Sequence, residues 1–169
     1  DVIWVTNGTY VLGEPLSVAQ AVTLRSVQGA AVTTLRGSGG AGVLRVNNAN
    51  AVVCGFTISQ GYENAGTGAG VHLQEGFVHG CILRDNVGQA VVMSNSPSAR
   101  LANCLIVSNT AAVGGEGVMI NCTVSSNAQP TVNAALVYNS IVEGSIVAPE
   151  IRFTLAPSAY SGEGNLAGT

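Results

Sequence analysis

The chain has 169 residues, and only 9% of them are charged: six Arg, two Asp, seven Glu and no Lys, for a net charge of −3. An ordinary globular domain carries about 25% charged residues, so the surface must be built largely from Gly, Asn, Ser and Thr. Without clustered basic side chains the chain is not an electrostatic nucleic-acid binder. Its 47% apolar content argues against disorder, and no run reaches the roughly 18 apolar residues of a membrane-spanning helix.

In chain order, Ile3-Trp4-Val5-Thr6-Asn7 reads as the first short strand, and Val22-Thr23-Leu24-Arg25-Ser26 as the second. Similar units recur at Cys54-Gly55-Phe56-Thr57-Ile58, Cys81-Ile82-Leu83-Arg84-Asp85-Asn86, Cys104-Leu105-Ile106-Val107-Ser108-Asn109, Cys122-Thr123-Val124-Ser125-Ser126-Asn127 and Ser140-Ile141-Val142-Glu143. The interval between starts varies over the early copies and becomes constant from Cys104 through Cys122 to Ser140, as in a repeat whose loops differ in length. A second strand-like element precedes most copies, at 43–46, 71–73, 90–93, 117–120 and 135–138. The 24 Val and 22 Gly favour short strands and tight turns, and no segment carries a sustained helical period. Units of this kind cannot bury an apolar face alone, whereas stacked ones share a continuous core.

Within each unit the first and third residues point to one side, because side chains alternate along a strand. The inward positions are therefore Ile3/Val5, Val22/Leu24, Cys54/Phe56, Cys81/Leu83, Cys104/Ile106, Cys122/Val124 and Ser140/Val142. Cys54, Cys81, Cys104 and Cys122 are expected to form one column of buried free thiols. In-register side chains on parallel strands disfavour disulfide torsions, and the paired C-x-x-C spacing of a zinc site is missing. Asn86, Asn109 and Asn127 each stand at the same offset after their Cys. They are expected at a turn that tolerates a left-handed conformation, stacked as an amide ladder. A β-sandwich would explain the alternation but not these aligned columns.

The expected fold is all-β: a single right-handed parallel β-helix of about seven rungs over residues 1–147. Residues 148–169 would form a tail that packs on the helix or extends it. The chain opens inside a strand and ends without a cap, so it is expected to be a piece of a longer protein. The opening Asp1-Val2-Ile3-Trp4-Val5-Thr6-Asn7-Gly8-Thr9-Tyr10, the Asn-Cys units at 103–109 and 121–127, and Gly55-Phe56-Thr57-Ile58 carry a resemblance over residues 1–147. They resemble right-handed parallel β-helix repeat proteins of the pectate-lyase-like superfamily, in particular bacterial secreted and surface members. The resemblance implies an extracellular or cell-surface setting, and its enzymatic members are polysaccharide lyases, hydrolases or epimerases.

The catalytic groups of those members are missing. There is no Lys to act as a lyase base, no carboxylate cluster for calcium, and only scattered Glu where a hydrolase needs a spaced pair. No cofactor or metal site is expected. The nearest thing to a polar cluster is His72, Glu75, His79, Arg84 and Asp85, with either His as base and Arg84 as anion clamp; solvated loop charges are the favoured reading. Ile82, Leu105, Val107 and Ile141 face outward and would make an exposed apolar strip, with the tail from Ala148 onward the first choice to cover it. The leading expectation is a non-catalytic extracellular module with a structural, adhesive or self-assembly role. It would associate with copies of itself, end to end or face to face, as an oligomer or a filament. The alternative is a polysaccharide-binding or polysaccharide-degrading fragment.

Overall fold

The computed structural model describes residues 1–63, 66–94, 97–158 and 160–168. It contains strands and turns with no helix among the described residues, and the strands pair in parallel throughout. They stack as a β-solenoid whose coil has three faces, taken here in chain order. The first face is built from strands at 2–5, 23–26, 52–54, 76–79, 99–102, 118–120, 136–138 and 150–152. The second face runs 8–12, 33–37, 57–59, 82–84, 105–107, 123–125, 141–142, 155–156 and 166–167. The third runs 16–18, 44–46, 71–73, 89–93, 111–115, 129–133 and 146–147. Between the first and last of these third-face strands lie about 6 turns, close to the seven rungs expected.

The core is a set of aliphatic columns, one residue per coil. Val53, Val78, Leu101, Met119, Val137 and Ile151 succeed one another on the first face, and all are at most 5% exposed. Ile58, Leu83, Ile106, Val124 and Val142 do the same on the second. Each buried Val, Leu or Ile contributes roughly 1.5–3 kcal/mol, and the column gains it only because the coil on either side supplies the cover. Ile3 pairs with Leu24 on one side alone and stays 50% exposed.

Two corners set the register. Between the first and second faces, Gly55, Gly80, Asn103, Asn121, Asn139 and Phe153 all take positive φ, from 46° to 78°. The next residue turns inward: Phe56, Cys81, Cys104, Cys122, Ser140 and Thr154 are buried. From Cys81 on, each of these side chains donates to the carbonyl two residues back. The acceptors are His79 for Cys81 Sγ (3.4 Å), Ala102 for Cys104 (3.2 Å), Ile120 for Cys122 (3.3 Å), Tyr138 for Ser140 Oγ (2.7 Å) and Arg152 for Thr154 Oγ1 (3.0 Å). A left-handed residue costs a non-glycine about 1–2 kcal/mol, and the local bond adds a second donor to a carbonyl that already accepts the backbone N–H of the left-handed residue in the preceding coil.

The second corner carries the amide ladder. Asp85, Ser108 and Ser126 take φ of 54–57°, and the following Asn86, Asn109 and Asn127 are 2–8% exposed. Asn86 Nδ2 donates to Asn109 Oδ1 and Asn109 Nδ2 to Asn127 Oδ1, both at 2.9 Å. Asn86 Oδ1 accepts from the Gly61 amide at 2.9 Å. The left-handed residue is thus the one before each Asn, and the amides lie inside the coil.

Three further expectations are corrected. Cys54 is opposite His79, not Cys81, and its side chain belongs to the outer side of the first face. The residues aligned with Cys81/Leu83 are Phe56/Ile58, because Gly55 matches the left-handed Gly80. The thiol column is therefore Cys81, Cys104 and Cys122, and all four cysteines are buried and free. The units at Ile3 and Val22 likewise belong to the first face, with Ile3 opposite Leu24 rather than Val22. Finally, residues from Ala148 on do not fold across the apolar strip. They continue the stack through 150–152, 155–156 and 166–167, with Tyr160 packed against the core and its hydroxyl accepting from the Ile146 amide at 2.7 Å.

Candidate functional site

The residues singled out for acid–base chemistry are dispersed by the fold. His72 lies on the third face opposite Arg45 and Val92; its Nε2 meets Ser94 Oγ at 3.3 Å. His79 lies on the first face. Arg84 is on the second face and pairs with its neighbour Asp85 at the following corner. A base on one face and an anion clamp on another cannot act on one bond. The dispersal follows from the turn at Gly80, which separates residues close in sequence onto adjacent sides of the prism. Among the described residues no group of three or more His, Cys, Asp and Glu is placed to hold a metal ion.

The outer side of the first face is chemically the richest surface. Its strands present two parallel outward columns. One runs Thr23, Val52, Phe77, Arg100, Val118, Leu136 and Glu150; the other runs Trp4, Arg25, Cys54, His79, Ala102, Ile120, Tyr138 and Arg152. Three Arg lie over aromatic rings one coil away: Arg25 over Trp4 at 5.2 Å, Arg100 over Phe77 at 5.2 Å and Arg152 over Tyr138 at 6.0 Å. Phe77 also stacks on His79, with ring centroids 4.7 Å apart. The coil order is aromatic, Arg, gap, repeated along the face, so the pairs recur every third coil, at steps of roughly 14 Å. Each contact is worth about 0.5–1 kcal/mol at an exposed site.

The three pairs are not equivalent. Arg152 is neutralised by Glu150 Oε1 at 2.6 Å and faces Glu163 at 3.8 Å, whereas Arg25 and Arg100 are exposed and their charge is available. Beside Arg25 lies a cavity of about 350 Å³ lined by Ser26, Gln28, Cys54, Gly55 and His79. Burial lowers the His79 pKa, and the Arg25 charge lowers it further. Burial likewise raises the Cys54 thiol, outweighing Arg25, which acts the other way. The pair therefore stands as neutral imidazole and neutral thiol, not as an activated nucleophile. At the opposite border, a groove of about 740 Å³ runs between Pro97, Glu116, Asn133, Val147 and Pro149 over a floor of Ala134, Ala135 and Ala148. Its lining residues Glu116 and Ala135 stand in sequence just before the first-face strands 118–120 and 136–138.

The face thus combines three Arg–aromatic pairs, two of them with a guanidinium unpaired among the described residues, and a neutral Cys54–His79 pair. No local stretch of sequence signals it, because the two members of each pair lie a whole coil apart in the chain and meet only through the winding. Of the outward strip on the second face, Ile82, Leu105 and Ile141 share one column and Val107 lies beside them. None of the family models, curated proteins or solved structures compared with the chain matches it. No helix of the described residues is long and apolar enough to cross a membrane.

Proposed function

We propose that the chain is a non-catalytic extracellular module with an adhesive role, holding a polysaccharide that carries carboxylates along the first face. The observation that carries this reading is the recurrence of Arg–aromatic pairs along that face. Aromatic rings offer apolar area to the faces of sugar rings, and the Arg fork matches a carboxylate bidentately. Repetition along a rigid rod supplies what a polymer needs, several weak contacts at fixed spacing. The neutral Cys54–His79 pair and the absence of Lys support binding rather than cleavage. The three-faced coil with its Asn ladder is in keeping with the pectate-lyase-like resemblance, and a bacterial surface or secreted protein is the setting the reading supposes.

The test is affinity electrophoresis or calorimetry with uronate polymers, such as polygalacturonate and alginate, against neutral glucans. Native protein should be retarded by a uronate polymer and not by the neutral ones. The R25A/R100A double variant should lose about tenfold or more in affinity, corresponding to two charge-assisted contacts. Equal retention of the native protein and the double variant would refute the assignment to this face. Release of unsaturated uronates, read by ultraviolet absorbance, would refute the non-catalytic part.

A further inference from the structure

The second face carries a different pattern, which the polysaccharide reading does not use. Its outward residues also fall into two columns. In successive coils the first column reads Ile82, Leu105, Thr123, Ile141 and Leu155, and the second reads Arg84, Val107, Ser125 and Glu143. Leu105 is 37% exposed, Ile141 52% and Leu155 38%, so the first column is an apolar ridge open to water. Arg36 and Ser59 precede Arg84 in the second column, which from Arg84 runs from a cation to an anion three coils later, roughly 14 Å apart. Glu143 is held in place through one oxygen, Oε2, which accepts from Ser125 Oγ at 2.6 Å and the Ser126 amide at 2.8 Å. Those bonds lower its pKa, the Ser125 hydroxyl contributing most, and keep it ionised. Arg84 is already paired with Asp85 through Nη1, as Arg152 is with Glu150, and the remaining donors of its fork are what a second carboxylate would meet.

This order is self-complementary. Turning a second copy through half a revolution about an axis along the strands, midway between the Val107 and Ser125 coils, reverses the rod and inverts the face. Column then meets like column: Arg84 faces Glu143 of the other copy twice over, Ile82 meets Ile141, Leu105 meets Thr123, and Val107 meets Ser125. That is the isologous geometry of a two-fold dimer. We propose that the second face pairs two copies of this chain antiparallel, through the Ile82–Ile141 ridge and two symmetry-related Arg84–Glu143 ion pairs. Three residues of strand by four coils give a footprint of roughly 200 Å² per partner, or about 400 Å² in total, before side-chain spread. The pairing is therefore of the weak class, well under the roughly 1,200 Å² of stable complexes, and responds to local concentration and to salt.

The experiment is sedimentation velocity of the whole chain without polysaccharide, over a wide concentration series extending into the millimolar range. Native protein should move from monomer to dimer as concentration rises, and added salt should shift the transition upward. R84E and E143R should each weaken the dimer about tenfold, because each sets two like charges against one another twice. The double variant R84E/E143R restores opposite charges across the axis and should return to within about threefold of native. I141D should abolish the dimer while leaving the circular dichroism spectrum unchanged. A sedimentation coefficient independent of concentration overturns the proposal. So does a dimer indifferent to all three charge variants, which would signal stacking through the rod ends.

Discussion

Replacing Asn109 by Ala tests the amide ladder at its centre. Asn109 Oδ1 accepts from the Asn86 amide at 3.1 Å and from Asn86 Nδ2 at 2.9 Å. Its Nδ2 donates to the carbonyls of Leu83 at 2.9 Å and Val107 at 3.1 Å and to Asn127 Oδ1 at 2.9 Å. After truncation Asn86 Nδ2 still has the Ile58 carbonyl at 3.2 Å, and Asn127 Oδ1 still has the Asn109 amide at 3.0 Å. The Asn86 amide loses the acceptor that served it, and the Leu83 and Val107 carbonyls each lose one bond. An orphaned buried amide costs about 1–3 kcal/mol and each further lost bond about 1 kcal/mol, so the expected loss is about 3–5 kcal/mol, or roughly 10 °C in Tm for a chain of this size. Urea denaturation followed by circular dichroism reads it as a lower midpoint, with exposed Asn133→Ala as the control. A midpoint within about 0.5 kcal/mol of that control would mean that the ladder follows the fold rather than stabilising it.

Cys122→Ser should cost little, about 1 kcal/mol or less, because Ser140 already fills the next place in that column with the same backward bond; a thermal melt that falls by more than about 10 °C would show that the thiol is needed for its size or polarisability. Gly115→Ala should be far more damaging, since a Cβ there would collide with the Met93 carbonyl oxygen at a φ of +111°; soluble expression with a native-like melt would contradict the close approach of these coils. His72 and His79 both have lowered pKa values, through burial first and then Arg45 and Arg25 respectively. The unfolded chain therefore binds more protons once pH falls through about 6.5, and stability must fall with it. Tm should be lower near pH 5 than near pH 7.5, and H72Q/H79Q should flatten that limb; an unchanged slope in the double variant would reject the assignment.

The repeat is legible in the sequence wherever coils have equal length. Cys104, Cys122 and Ser140 follow one another at a constant interval, and the structure stacks them in register. At Cys54 the sequence misleads, because there residue identity and backbone conformation part company. The better signal is a left-handed-tolerant Gly or Asn, then an inward residue, then an alternating pair. On that rule Gly55-Phe56-Thr57-Ile58 aligns with Gly80-Cys81-Ile82-Leu83 and Asn103-Cys104-Leu105-Ile106, as the pairing requires. The third-face strand is legible at 43–46, 71–73 and 90–93 and is hidden in the two coils that follow. Ala111–Gly115 carries two Gly and a single β-branched residue, and Gln129–Asn133 carries a Pro and no clear alternation; neighbours on both sides supply their hydrogen bonds. The Arg–aromatic pairs depend on coil lengths, which no local window contains.

The paired corners also bear on how such a chain can change length. Asn103, Asn121 and Asn139 mark identical points of successive coils, and the coils between them have no inserted loop. Excising residues 121–138 would bring the coil of Asn139 onto that of Asn103 with every strand still meeting a strand in phase. Duplicating the same stretch would do the reverse. A molecule joined in this way is edited in whole turns, so copying errors at the level of the gene can yield a shorter or longer rod instead of a misfolded one. Charge on the second face would then be the first casualty: the Arg84–Glu143 interval changes with every turn gained or lost. Rods of unequal length would cease to recognise one another while each remained intact.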